Sequence, residues 1–529
     1  MSGSEARRPS RPWSRTQCKH PGGRRAYRRP RPDLPFPRSL VHSAATSEPL
    51  TASASIFRHF AWSALRTWGE RLTSLLVFVV LSRLLPPADI GALAYVGAFL
   101  FFAQTFAEGA LGEWIVRQPA TTAEEESSVF WTQVGLGALV GAVVAAGGLL
   151  AGEALLRRPD AAAITAWLAL VVPLSAMERV PEALLRRGFR FDQLAVRTLM
   201  VSLAGGAVGI GLALAGFGVW CLVAKQLFEI VLRVALAFRL SGFRPRLRFR
   251  YALGREAIAF GGSVLASRLL DATSQRIDLV IVGSILGPVT LGYYAVAVRI
   301  TQLIAEMTNG IIYTVAFQHF VACAGDLART TALHRRLLSG TTLLAAPAIA
   351  VAAATAPLHM PLLFGPQWAP AVPAMQLLCL LPILGTVVVY FNCLLLANGA
   401  KRNAVLLSLA SLASTVALTT AGTWWGLLGV AALQPVRGLV LLLLGARLAR
   451  PVSAPGPAGY ARALGPGLLA AGGAALAADQ IMRLQTGLSP VLTLAMSLCG
   501  AAAIAGPIVF GVARTMVSGG LARPGSPSP

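Results

Sequence analysis

Residues 84–91 read Leu-Leu-Pro-Pro-Ala-Asp-Ile-Gly, and residues 285–292, 201 positions later, read Ile-Leu-Gly-Pro-Val-Thr-Leu-Gly. Each octet follows one hydrophobic run of helix length and precedes another. The same offset pairs Glu70 with Asp271 and Glu108 with Asn309. A membrane chain that repeats itself in halves is typical of proteins that move a substrate between two faces of a bilayer. The repeat therefore favours transport over catalysis, and we expect no enzymatic activity.

The composition is that of a membrane protein. Hydrophobic residues make up 55% of the 529 positions and charged residues 13%, and the mean hydropathy is +0.65. Apolar runs of roughly 20 residues, the length that crosses a bilayer as a helix, recur about fourteen times. These runs lack the alternation of a membrane β-barrel. The sequence therefore predicts an all-α polytopic membrane protein with about 14 spans.

Lys and Arg are concentrated in alternate connections between the predicted spans. Such residues mark cytoplasmic connections, which predicts a cytoplasmic N-terminus and places both octets on the external side. The external connections around Gly216, 287–288 and Trp425 have no Lys or Arg, whereas Arg157 and Arg158 are an exception. The net charge of +24 is thus mainly a topology signal. No soluble face is large enough for nucleic-acid binding, so no nucleic-acid partner is predicted.

The repeat and the charge pattern together divide the chain. The predicted parts are a basic tail (1–55), a first six-span half (56–240), a basic connection (241–255), a second six-span half (256–450), a linker (451–460), two further spans (461–513) and a second tail (514–529). An even number of spans per half makes the repeats parallel. The Pro-rich, basic first tail is typical of disorder, either as a solvated segment or as one attracted to anionic lipid. Cysteines and histidines are dispersed, so no metal or other cofactor is predicted.

Five motifs resemble those of a known family. They are Ser-Arg-Leu-Leu-Pro-Pro-Ala-Asp-Ile-Gly (82–91), Leu-Leu-Arg-Arg-Gly-Phe-Arg-Phe (184–191), Gly-Phe-Gly-Val-Trp (216–220), Asp-Leu-Val-Ile-Val-Gly (278–283) with Gly-Tyr (292–293), and Leu-Phe-Gly-Pro-Gln-Trp (363–368). In this order they resemble the oligosaccharide and polysaccharide flippases of the multidrug/oligosaccharidyl-lipid/polysaccharide exporter superfamily. The lipopolysaccharide, O-antigen and exopolysaccharide branch fits best.

The resemblance implies a fold and a substrate. It implies two parallel six-helix bundles in a V shape, with the two C-terminal helices added. It also implies that the chain carries a polyprenyl-diphosphate-linked oligosaccharide across the bacterial inner (plasma) membrane for cell-surface polysaccharide biosynthesis. Polysaccharide polymerase or assembly proteins are possible partners.

Polar residues recur on single faces of otherwise apolar spans. Arg268, Asp271, Gln275 and Asp278 share one face of the seventh span, and Arg299, Gln302, Glu306 and Asn309 share one face of the eighth. Charges at bilayer depth are costly, so such sets indicate a wet or paired interior. We hypothesise that both stripes line a central cavity.

The residue types suggest two roles within that cavity. The predicted substrate-binding residues are Arg66, Arg268, Arg276, Arg299, Gln275, Gln302 and Asn309, because guanidinium groups suit diphosphate oxygens. The predicted H⁺- or Na⁺-coupling residues are Glu70, Glu108, Asp271, Asp278 and Glu306. The simpler alternative is internal ion pairing, such as Arg66 with Glu70 or Arg268 with Asp271.

Three further charged sets invite structural interpretations. Lys225, Glu229 and Arg233 form a self-neutralising stripe, and Glu178, Glu182 and Arg186 form another. Arg83 and Asp89 bracket the first octet, and we expect them to pin it to the interface rather than to bind a ligand.

Two other functions remain open. A multidrug cation antiporter of the same superfamily shares the twelve-span plan, although a cavity with arginines disfavours organic cations. A membrane glycosyltransferase or polysaccharide polymerase usually needs catalytic groups on a large external loop, and the external connections are short. Transport by alternating access, with the basic connection 241–255 coupling the halves, fits the sequence best.

Overall fold

The computed structural model describes residues 68–108, 115, 118, 121–246, 250–453, 455–484 and 489–518. The predicted tail 1–55, Arg66 and residues 519–529 lie outside this part of the chain. The helices are α1 (68–84), α2 (Pro87–Glu108), α3 (Ala123–Leu156), α4 (Ala161–Ala169), α5 (Val171–Arg187), α6 (Phe191–Leu214), α7 (Trp220–Ser241), α8 (Tyr251–Ala322), α9 (Leu327–Ala354), α10 (Ala356–Phe364), α11 (Val372–Leu378), α12 (Leu381–Ala397), α13 (Lys401–Gly422), α14 (Gly426–Ala449), α15 (Gly456–Leu484) and α16 (Pro490–Ser518).

The described residues contain helices and no strand, which confirms the all-α class. Ten helical segments of this part of the chain are long and apolar enough to cross a membrane. Some of these segments contain breaks: Arg268–Leu303 includes the non-helical Gly287, and Lys401–Ala449 includes the short 3-10 helix Thr423–Trp425. The molecule is therefore a polytopic helical membrane protein. The count of fourteen spans and the V shape stay predictions.

The two repeated octets pack directly against each other. A Cβ added at Gly91 would overlap the carbonyl oxygen of Pro288, and a Cβ added at Gly292 would overlap that of Pro87. Because the repeat offset relates Gly91 to Gly292 and Pro87 to Pro288, this contact is reciprocal. Only glycine allows so close an approach of two backbones. We call the end of the bundle that carries both octets the repeat end.

Further bonds join the two halves at the repeat end. The Arg83 guanidinium donates to the carbonyl oxygens of Leu362 and, at 2.8 Å, Leu363. The side chains of Gln367 and Trp368 each donate to the Ser82 carbonyl at 2.9 Å. The first and fifth motifs therefore dock onto each other. The expectation that Arg83 pins its loop holds, but its partner is protein backbone.

The exception to the charge pattern has a structural cause. Arg158 bonds Asp160 at 2.6 Å and Asp89 at 2.7 Å, and these two carboxylates raise the pKa of Arg158. Asp89, which precedes Gly91 by two positions, is buried. The positive charge of Arg158 is thus neutralised locally and does not argue against the predicted orientation.

The basic connection docks on the first half at the opposite end, which we call the basic end. The Trp131 indole donates to the Arg246 carbonyl at 2.9 Å, and the Arg246 and Arg250 amides donate to Ser127 and Ser128 at 3.0 and 3.1 Å. The Phe243 ring lies 5.5 Å from the Phe130 ring. The described part of the connection is therefore held by α3.

The last two helices attach to the second half. A Cβ at Gly467 of α15 would lie 2.6 Å from the backbone of Thr342 in α9, which shows close helix packing. In the preceding linker, Ser453 is fully buried and bonds the His334 ring at 3.0 Å. The pair α15–α16 thus extends the second half.

Candidate functional site

Three arginines from both halves meet inside the bundle. Arg71 comes from α1, Arg276 from the arm of α8 before Gly287, and Arg299 from the arm after it. A cavity of about 660 Å³ is lined by Arg71 and Arg276, one of about 420 Å³ by Arg71 and Arg299, and one of about 310 Å³ by Arg276 and Arg299. Each pair of arginines therefore shares a cavity. We call Arg71, Arg276 and Arg299 the arginine cluster.

Few local contacts hold these guanidinium groups. Arg71 pairs with Glu306 at 3.2 Å across the two halves, with side chains 30% and 44% exposed. Arg299 donates to the Ser74 hydroxyl at 3.1 Å, and Arg276 stacks 5.3 Å from the centre of the Phe101 ring. Arg276 and Arg71 repel Arg299, whereas Glu306 attracts it. Only Arg71 of the three has a carboxylate in a salt bridge, and the cavity between Arg276 and Arg299 is lined by no carboxylate among the described residues, which suits an anion.

The largest cavity lies in the second half, against α8, α12, α13 and α14. Asp278 accepts from the Tyr294 hydroxyl at 2.8 Å and from the Leu279 amide at 2.9 Å. Gln434 donates to Tyr294 at 3.3 Å and to Thr419 at 3.1 Å. These bonds form a continuous network beneath the cavity.

Two buried polar atoms of this cavity have no partner. Among the residues described, the Ser274 hydroxyl oxygen and the Arg437 Nε accept or donate no hydrogen bond, although Arg437 Nη1 donates to Thr415 at 2.6 Å. Native proteins pair nearly all of their buried polar groups. The site is therefore prepared for a polar ligand or for water.

The cavities of the first half are enclosed by ion pairs. Their volumes are about 420 and 340 Å³, and Lys225, Glu229 and Arg233 line both. Lys225 pairs with Glu229 at 2.7 Å. Behind the smaller cavity, Arg197 holds Glu178 at 2.9 Å and Glu182 at 3.6 Å. The predicted self-neutralising stripes are thus real, but they also face cavities.

The structure brings most of the predicted site residues together. Those that line the largest cavity are Arg276, Gln275, Gln302, Asp271, Asp278 and Glu306, while Arg299 and Glu70 line the adjoining 420 Å³ cavity. Glu108 pairs instead with Arg179, and Arg268 lies within electrostatic range of Glu108. The Arg66 residue and the Asn309 side chain lie outside the described part of the structure.

Several polar residues of the site were not predicted from the sequence. Arg71 follows Glu70 directly, but helical spacing had assigned the face of α1 to Arg66 and Glu70. Gln434 and Arg437 lie three positions apart in the apolar helix α14 and were an available signal, since polar residues inside spans are rare. Within the part of the chain that the structure describes, no group of three His, Cys, Asp or Glu side chains could hold a metal ion.

Comparisons with known proteins agree with this architecture. A family model described as polysaccharide biosynthesis protein matches residues 80–373. The succinoglycan biosynthesis transport protein ExoT of Rhizobium meliloti is 27% identical over 334 residues, which cover 63% of this chain and 67% of that protein. The lipopolysaccharide biosynthesis protein WzxC of Escherichia coli is 23% identical over 332 residues, 62% of this chain and 66% of that protein.

Two solved structures share the fold. A lipid II flippase, MurJ, in an inward closed conformation superposes with a TM-score of 0.69 at 11% identity, covering 86% of this chain and 99% of that one. An inward-facing multidrug resistance transporter of the MATE family has a TM-score of 0.58 at 15% identity, covering 73% and 98%. These two structures show the fold of this chain; ExoT is a transport protein, MurJ a flippase and the MATE protein a transporter. The family model covers more than half of the residues of this chain, and the chain therefore belongs to the polysaccharide biosynthesis protein family.

Proposed function

We propose that the chain is a flippase that moves a polyprenyl-diphosphate-linked oligosaccharide from the cytoplasmic to the periplasmic leaflet of the bacterial inner membrane. The relatives in transport and biosynthesis of polysaccharides support a lipid-linked sugar as the substrate. The observation that carries the proposal is the arginine cluster, which both halves build at the junction of three cavities.

Charge balance favours a diphosphate at the cluster. The 310 Å³ cavity is lined by Arg276 and Arg299 and, among the described residues, by no carboxylate, and a diphosphate diester carries about two negative charges that would match these two positive ones. A buried charge needs a partner, so an anion of this charge is matched to the site. Organic cations, the substrates of the multidrug alternative, would be repelled by the same groups.

Alternating access fits the contacts between the halves. Gly91 and Gly292 hold the octets together at the repeat end, where Arg83 adds bonds to the second half. This packing supports a state in which the cavities are shut toward the repeat end. Release on that side requires the reciprocal contact to separate. The substrate and the coupling ion would then shift the equilibrium between the state that is closed at the repeat end and the state that is open there.

The carboxylates of the second half are the better candidates for coupling to H⁺ or Na⁺. Asp278 is bonded to the neutral Tyr294, and Asp271 lines the same cavity. Glu108 and Glu306 already have salt-bridge partners in Arg179 and Arg71. We infer that Asp271 and Asp278 exchange the ion, with Glu70 as a third candidate beside Arg71.

The orientation belongs to the same proposal. The basic end faces the cytoplasm, the N-terminus lies on that side, and the repeat end faces the periplasm. The concentration of Lys and Arg in alternate connections supports this orientation, and the pairing of Arg158 with Asp89 and Asp160 accounts for one exception to it. The connection 241–255, docked on α3 through Arg246, then transmits movement between the halves at the cytoplasmic side.

The decisive experiment follows a polyprenyl-diphosphate-linked sugar across proteoliposomes that contain the purified chain. Arg299→Ala is expected to reduce flipping by at least tenfold, because it removes a charge-assisted contact to the diphosphate. The matched control is Arg402→Ala, an exposed arginine at the basic end. Equal flipping by wild type and Arg299→Ala, or no flipping by wild type, would refute the proposal.

A further inference from the structure

The second-half cavity is larger than a diphosphate site requires. Its volume of about 660 Å³ falls in the range of sites that enclose whole small molecules. Arg71 and Arg276 line it, so it is continuous with the arginine cluster. Its remaining polar lining consists largely of neutral amides and hydroxyls, namely Ser274, Gln302, Asn392, Ser408, Ser411 and Gln434.

The unpaired atoms of this cavity point to a missing partner. The Ser274 hydroxyl and Arg437 Nε are buried without a hydrogen bond among the described residues. A group left in this way is unfavourable unless a ligand or water completes it. The Arg437 Nε only donates and therefore needs an acceptor, whereas the Ser274 hydroxyl can donate or accept, so a partner with groups that do both satisfies the two atoms.

The base of the cavity is already rigid. Gln434 is buried, and its amide donates to both Tyr294 and Thr419. Tyr294 in turn donates to Asp278 at 2.8 Å. A ligand that binds above this network meets side chains whose orientation is fixed, which lowers the cost of binding.

The two cavities that border the first half are smaller and are lined by more charged than neutral polar side chains. Lys225 and Glu229, which line both, bond each other at 2.7 Å. The unpaired Nε of Arg179 faces the smaller cavity, but the groups around it are mainly charged. The two halves are therefore unequal as places for a ligand rich in neutral hydroxyl groups.

We propose that the second-half cavity binds the sugar that is attached to the diphosphate. Sugar hydroxyls both donate and accept, and they match the amides and hydroxyls around Asn392 and Ser408 and the unpaired atoms of Ser274 and Arg437. The diphosphate then lies at the cavity edge, against Arg71 and Arg276. This inference rests on the proposed function and assigns the sugar to one half of the protein.

The test compares two ligands on the full chain in lipid nanodiscs. The probes are polyprenyl diphosphate and the same lipid diphosphate carrying one glucose or one galactose. Wild type is expected to bind at least one sugar-bearing lipid more tightly than the sugarless lipid. Asn392→Leu and the milder Ser274→Ala are expected to weaken binding of the sugar-bearing lipid about five- to tenfold, because each removes a hydrogen bond. Binding of polyprenyl diphosphate should not change, and that retained binding also shows that the variants are folded.

Matched variants in the first half separate the outcomes. Gln104→Leu and Ser175→Ala alter the 340 Å³ cavity, which no member of the arginine cluster lines, and are expected to leave both affinities unchanged. A selective loss of sugar binding in these variants, or no effect of Asn392→Leu and Ser274→Ala, would overturn the inference. Failure of wild type to bind polyprenyl diphosphate, or indifference of that binding to Arg299→Ala, would instead overturn the proposed function.

Discussion

The two halves share a repeated plan, yet they treat their buried polar groups differently. In the first half, Arg197 is 2% exposed and neutralises Glu178 and Glu182, and Lys225 neutralises Glu229. In the second half, Asp278 is hydrogen-bonded to an uncharged tyrosine, and most of the polar side chains around the 660 Å³ cavity are neutral. Ion pairs fix a structure, whereas neutral hydrogen-bonding groups can respond to a ligand. We therefore expect the first half to contribute mainly to stability and the second half to respond to the ligand and the coupling ion.

The largest effect is expected from breaking the fixed network of the first half. Arg197→Met leaves Glu178 and Glu182 buried without their shared cation and should lower the free energy of unfolding by about 3–5 kcal/mol. The measurement is thermal and denaturant unfolding of the purified protein in detergent. Adding Glu178→Gln and Glu182→Gln should recover much of the loss. A single variant as stable as wild type would contradict the role assigned to this network.

The next effect concerns the repeat end, where the two halves make equivalent contacts with each other. Gly91→Ala and Gly292→Ala each place a Cβ against a backbone carbonyl of the other half. Each should cost about 1–3 kcal/mol through overpacking and should change the flipping rate, because the closed repeat end cannot form fully. Unfolding and proteoliposome flipping measure the two consequences.

The matched control for the repeat end is Gly97→Ala. Gly97 lies in the same helix as Gly91, but a Cβ there meets nothing within 4 Å. This variant should be as active as wild type and at least as stable. If Gly91→Ala and Gly292→Ala differed widely in stability, the contact would not be the symmetric one described.

A smaller change in stability, but a clear change in coupling, is expected in the second half. Asp278→Asn keeps the shape of the side chain and a partner for Tyr294, so the cost should be about 1 kcal/mol. Flipping should become independent of the imposed H⁺ or Na⁺ gradient. Unchanged gradient dependence in proteoliposomes would remove Asp278 from the coupling site and direct attention to Asp271.

The smallest effect on stability is expected for an exposed ion pair on α15, outside both six-span halves. Arg483 and Asp479 form an i,i+4 pair on α15 at 2.8 Å, and the arginine is largely exposed. Arg483→Ala should lower the free energy of unfolding by no more than about 0.5 kcal/mol. If Arg483→Ala lowered the free energy of unfolding as much as Arg197→Met, solvent exposure would not explain the difference between this exposed ion pair and the buried ion pairs of Arg197.

Much of this arrangement could be predicted from the sequence, since it depends on local periodicity. The spacing of Gln302 and Glu306 placed both on one face of a helix, and both line the largest cavity. The class of fold followed from the length and composition of the apolar runs.

The parts that could not be predicted depend on contacts between distant helices. Arg268 lies on the predicted face of its helix, but it interacts electrostatically with Glu108 of α2. Arg71 belongs to the site because α1 meets α8, and no pattern within α1 indicates that meeting. The similarity of the two octets indicated a duplication. Only the structure shows that Gly91 packs against the backbone of the second octet and Gly292 against that of the first.

That reciprocal contact has an evolutionary consequence. A contact in which position i of one unit meets j of another, while j of the first meets i of the second, is the signature of a two-fold symmetric dimer. Gly91 with Pro288 and Gly292 with Pro87 obey this rule within a single chain. A half-length ancestor with one octet would have formed the same interface by pairing with a second copy of itself. On that history, fusion of the two copies would have left the glycine of each octet at the former subunit boundary, with each half free to diverge elsewhere.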